Sequence, residues 1–132
     1  MLDEFRKKTE EIFFNRSFEN KIDSLAKSTS KEVAAKIKHL LDFDLENSEH
    51  NFEVFTGQFS AMLTNGIRNT IRTKKSSNLD KELLYIFVLA MSQLSQRLQD
   101  ANLIKPEQDY ELTSSCREIQ NSFAARVLEK KK

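Results

Sequence analysis

Hydrophobic positions recur along this chain at spacings of three and four, the period of one face of a helix. The strongest run lies between Leu79 and Ala101, where Leu84, Phe87, Met91, Leu94, Leu98 and Ala101 share a stripe. The first half of this segment is also apolar without interruption from Leu83 to Met91. A helix that is apolar all round is expected to be enclosed by others. The pattern therefore predicts a central helix, capped by Asn78 and ending around Asn102.

Other stripes flank it. Phe52, Phe55, Phe59, Met62, Leu63, Ile67 and Ile71 predict a helix over 49–73, the main partner of the central one. Asn47 or Ser48 suits its cap, and Glu49 sits in a first turn that favours negative charge. Gly57 and Gly66 interrupt the pattern, either to admit a close neighbour or, at Gly66, to mark a kink. Leu112, Cys116, Ile119, Phe123 and Val127 predict a last helix that starts at Pro106. Leu2, Phe5, Ile12 and Phe13 make one stripe near the start, and Phe18, Ile22, Leu25 and Ala26 a second. Asn15-Arg16-Ser17 between them leaves one kinked helix and two short helices equally open. Thr29-Ser30-Lys31-Glu32 has the form of a capping box and predicts a new helix, with Val33, Ala34, Ile37, Leu40 and Leu41 inward, ending near 44–47. Connections near 28, 47, 76 and 104 imply antiparallel neighbours. The expected fold is all-α, an up-and-down helical bundle of four to five helices in a single domain over 1–132, with a short frayed basic tail at 129–132.

Composition supports this. The chain has 132 residues but only 2 Gly and 1 Pro, too few for turn-rich β architectures or for glycine-rich nucleotide loops. Its single cysteine excludes an internal disulfide and points to a reducing compartment. Its first residues, MLDEFRKKTEE, lack the apolar stretch of a signal peptide. The longest apolar run falls well short of the roughly 20 residues that cross a bilayer. A cytoplasmic location without membrane association is the expectation.

The net charge of +1 creates no global field, but charge is unevenly placed. No Lys or Arg occurs between His39 and Ile67, while Asp42, Asp44, Glu46, Glu49 and Glu53 do. Arg68, Arg72, Lys74 and Lys75 then follow together. Arg68, Arg72 and Lys75 share a helical face and could contact phosphates without reading sequence, although a helix C-terminus favours cations in any case. There is no Trp, and no aromatic residues interleave with these cations to stack bases.

No reactive constellation stands out. Glu46, Glu49, His50 and Glu53 approach the spacing of a carboxylate-bridged metal site, but the inward positions nearby belong to Phe52 and Phe55. A solvated helix start accounts for them, and no metal ligand, cofactor or catalytic residue is assigned. Cys116 lies on an apolar stripe, where a thiol acts as a small hydrophobe rather than a nucleophile.

Ten phenylalanines are many for this length. Phe13 and Phe14 are consecutive, as are Val54 and Phe55, and the run from Leu83 to Met91 has the same problem. Either a wide buried stripe takes up these faces, or they leave surface for a dimer contact or a partner helix. The expected function is a non-enzymatic protein–protein interaction module, with Phe13, Phe14 and Val54 as candidate partner-binding residues in a homodimer or hetero-complex. The alternative is a nucleic-acid-associated regulator that uses Arg68, Arg72, Lys74 and Lys75.

Overall fold

The computed structural model describes the backbone of residues 2–73 and 78–131 and the side chains of residues 16–72 and 78–129. Five α-helices follow one another: α1 Leu2–Ile37, α2 Ser48–Thr73, α3 Leu79–Asp100, α4 Asp109–Ser115 and α5 Arg117–Lys131. The fold is an all-α bundle. Pairs of contacts set the helix directions. Glu19 meets Arg72 and Ser30 meets Thr56, so α1 and α2 are antiparallel. Gly66 meets Ile86 and Met62 meets Arg97, so α2 and α3 are antiparallel. Phe87 meets Phe123, and Asp80 shares a groove with Leu128, which makes α5 antiparallel to α3. Arg126 returns to Glu32 and closes the ring between α5 and α1.

The inward stripes are those that the spacing predicts, except that Leu84 of the α3 stripe is exposed and Leu83 is buried instead. Phe59, Leu63 and Ile67 of α2, Phe87, Met91, Leu94 and Leu98 of α3, and Leu112, Cys116, Ile119, Phe123 and Val127 of α4 and α5 are all buried. Phe59 and Phe123 both pack on Phe87, at centroid distances of 5.8 and 5.3 Å.

Two expectations are corrected. No helix begins near residue 29. Thr29 and Ser30 are buried in the middle of α1, and Ser30 Oγ donates to the Thr56 carbonyl of α2 at 2.8 Å. The first 56 residues contain no Gly or Pro. The isolated Asn, Ser and Thr residues cost only tenths of a kcal/mol each, which packing against α2 overrides. That also favours one helix over two around Asn15. The helix then ends at Ile37, earlier than the pattern suggests, and a single 3₁₀ turn carries the chain to Leu40.

The second correction concerns α3. It packs on α2 and α5, but among the described residues no element covers its outward face. Leu84, Tyr85, Val88 and Leu89 are exposed there. The core takes one side of the apolar run and has no second layer to take the other.

The end of α3 is sharply defined. Beyond α3, the Leu103 amide donates to the Leu98 carbonyl at 2.8 Å and the Asn102 amide to the Gln99 carbonyl at 3.0 Å. Asn102 adopts a φ of 62°. This pair of bonds around a left-handed residue is a Schellman motif, with Asn in place of the commoner Gly. The buried Leu103 seals it. The last helix is interrupted at Cys116, whose amide bonds back only three residues, to the Thr113 carbonyl.

Gly66 admits a neighbour. A Cβ at this position would lie 2.6 Å from Cγ2 of Ile86, a branched methyl that χ1 holds stiffly. At Gly57 nothing lies within 4 Å. Gly57→Ala should therefore stabilise the fold by about 1 kcal/mol, the helix-propensity gain. Gly66→Ala should destabilise it by about 1–3 kcal/mol through overpacking, despite the same gain. Urea unfolding of the two variants tests this opposite response.

Burial pushes the Cys116 thiol from 9.0 up to about 11, against a smaller lowering by Lys36. The unfolded thiol ionises near pH 9 and the folded one near 11. Its contribution to stability is therefore complete below pH 9 and lost as pH rises through 11. Urea unfolding at pH 8 and pH 11 should show the protein losing about 2–3 kcal/mol more than Cys116→Ala over that interval.

Candidate functional site

The most prominent surface feature is the outward face of α3. Leu84 and Val88 are four residues apart, as are Tyr85 and Leu89, so these four side chains cover two successive turns. Tyr85 is the most exposed of them, at 65%. Leu84 also borders an open groove between α3 and α5, lined by Ala124, Ala125 and Leu128. The face continues towards the C-terminal end through Ser92, Gln93 and Gln96, all exposed. From Leu84 to Gln96 none of its exposed side chains is charged.

The partner-binding residues expected from sequence fall elsewhere. Val54 is exposed on α2, at 40%. Its helical neighbours three and four residues away are Asn51, His50, Gly57 and Gln58, so it stands alone rather than within a patch. The side chains of Phe13 and Phe14 lie outside the described residues. The Leu83–Met91 run carried the signal for the α3 face, but its periodicity alone does not distinguish the buried side from the exposed one.

The basic residues divide similarly. Arg68 and Arg72 both face Glu19 of α1. Arg72 donates to it at 2.7 Å, and Arg68 Nε, buried and without a hydrogen bond, stands 3.9 Å away. This tie holds α1 to α2 and offsets part of the positive charge. Lys74 and Lys75 lie outside the described residues.

The acidic stretch gains a companion through tertiary contact. The Asp42 amide donates to the Leu103 carbonyl at 2.9 Å, and Gln108 Nε2 donates to the Leu40 carbonyl at 3.3 Å. Ser95 Oγ donates to Asp109 Oδ1 at 2.5 Å, anchoring the turn before α4 on α3. These bonds set Asp100, Glu107, Asp109 and Glu111 beside Asp42, Asp44, Glu46, Glu49 and Glu53. All nine carboxylates are exposed, with Leu45 and Tyr110 among them. One end of the bundle is thus rich in carboxylates, with Lys38 and Lys105 exposed on the same segments.

Reactive groups are scattered. His39 and His50 are exposed and Cys116 is buried. Among the described residues, no three His, Cys, Asp or Glu side chains gather as metal ligands would. Nor is any described helix long and apolar enough to cross a membrane. Compared with known protein families, curated proteins and solved structures, the chain matches none.

Proposed function

We propose that the protein is a non-enzymatic protein-interaction module, an adaptor, regulator, chaperone or inhibitor of another macromolecule, working in the cytoplasm through the outward face of α3. The observation that carries this reading is the contiguity of Leu84, Tyr85, Val88 and Leu89. Single exposed apolar side chains are normal on any surface, whereas a contiguous apolar patch rimmed by polar groups is the usual mark of an interface. Tyr85 adds a large apolar body with a polar tip, a combination enriched at such contacts. Ser92, Gln93 and Gln96 supply an uncharged hydrogen-bonding rim. The acidic end, with Leu45 and Tyr110, can orient a partner as it approaches.

The full chain, tagged and recovered from its native cells, tests this reading. The protein should retain a near-stoichiometric partner, which can be another protein or itself. Tyr85→Glu and Leu89→Glu should each reduce recovery about 30-fold or more, the loss expected at a central interface residue. Both positions are exposed, so the circular dichroism spectra should superimpose. Equal recovery by the protein and both variants, or no partner and no self-association at all, would overturn the proposal.

A further inference from the structure

We infer that the cavity between the middle of α1 and the last turns of α2 binds a single oxyanionic group, a phosphate or a carboxylate, through Arg68 and Arg72. It lies apart from the outward face of α3, and neither site depends on the other.

The cavity encloses about 80 Å³ and is lined by Phe18, Glu19 and Ile22 of α1 and by Arg68, Ile71 and Arg72 of α2. A water molecule takes up about 30 Å³ of liquid, so this space admits a group of a few heavy atoms rather than a nucleotide-sized molecule. Phe18, Ile22 and Ile71 form an apolar wall, and Ile22 is fully buried. Charges that meet beside such a wall are screened less than charges on an open surface.

Positive charge is in surplus here. Among the described residues, the one carboxylate that the two guanidinium groups meet is that of Glu19. Arg72 donates to it at 2.7 Å, while Arg68 Nε stays 3.9 Å from the same oxygen, beyond the reach of a hydrogen bond. Arg16, exposed one turn before Glu19, adds to the surplus. Asp23, one turn after, is matched by Lys27 at 3.1 Å. Asp80 and Glu82 belong to α3, which meets α2 at Gly66, roughly 200° around the helix from Arg68.

Arg68 Nε points most directly to an anion. Among the described residues, three buried side-chain polar atoms have no hydrogen bond: Thr29 Oγ1, Thr64 Oγ1 and Arg68 Nε. The two hydroxyls can turn to a carbonyl of their own helix. Arg68 Nε–H cannot, because it is fixed in the guanidinium plane and belongs to a charged group. A buried donor of this kind calls for an acceptor. Two oxygens of one anion match the parallel fork of Nε–H and a neighbouring Nη–H, and Arg72 stands within the same cavity to share the charge. Glu19 holds the two guanidinium groups together and also repels an incoming anion, which keeps the affinity modest.

Heteronuclear NMR of the arginine side-chain N–H groups in the full chain tests this. Sodium phosphate or sodium acetate is added against sodium chloride at equal ionic strength. The Arg68 signal should shift and saturate, with a dissociation constant on the order of millimolar, the affinity of a few charge-assisted hydrogen bonds. The signal of Arg126, which pairs with Glu32 between α5 and α1, should not follow it. Arg68→Gln and Arg68→Lys should each weaken binding about 10-fold or more by calorimetry, with the helical spectrum unchanged, since lysine keeps the charge but not the fork. Tighter binding of phosphate than of acetate identifies the ligand as a phosphoryl group, and the reverse identifies a carboxylate; both support the site. A response no greater than that to chloride, one shared equally by Arg126, or binding retained in Arg68→Lys overturns it.

Discussion

Phe87 is the side chain on which the bundle converges. It lies in the middle of α3, fully buried, with Phe59 of α2 edge-on against it on one side and Phe123 of α5 tilted against it on the other. Aromatic pairs in these geometries add about 0.5–1.5 kcal/mol each beyond the area they bury. More importantly, they set the rotation of α3 about its own axis. Once Phe87 points inward, Leu83, Ala90, Met91, Leu94 and Leu98 follow it into the core, and Leu84, Tyr85, Val88 and Leu89 must point away. Gly66 reinforces that setting, because the approach of Ile86 to α2 is closed to any larger residue. The exposed apolar face and the core thus have one origin.

A ring of four long elements leaves each helix one side open. On α1 and α2 the open side is largely polar, but on α3 it is not. An apolar face retained against the cost of exposure is the sort of feature that binding explains and folding does not.

Much of the architecture is legible in the chain itself. The bounds of α2 and α3 come within one or two residues of those that the stripes predict, and every residue of the Leu112–Val127 stripe is buried. Asn102 marks the end of α3 as its sequence position suggests, because Asn tolerates the left-handed conformation that a Schellman motif needs. Thr29 and Ser30 misled for a physical reason. A hydroxyl near a glutamate caps a helix when it faces a free amide, but the same group mid-helix can donate to a neighbour's carbonyl, as Ser30 does to Thr56. Arg68 and Arg72 read as free cations because Glu19 lies some fifty residues away along the chain.

What the sequence by itself determined is which segments are helical and which side of most of them is apolar, since periodicity is a local property. It also determined that the chain has more apolar surface than a narrow stripe can bury. Only the tertiary structure decided where that surplus emerges. It lies on Leu84, Tyr85, Val88 and Leu89 rather than around Val54, because the packing of Phe87 and the contact at Gly66 fix which side of α3 faces in. Tertiary contact likewise joined the carboxylates of 42–53 to those of 100–111, through backbone bonds between segments that no spacing rule connects.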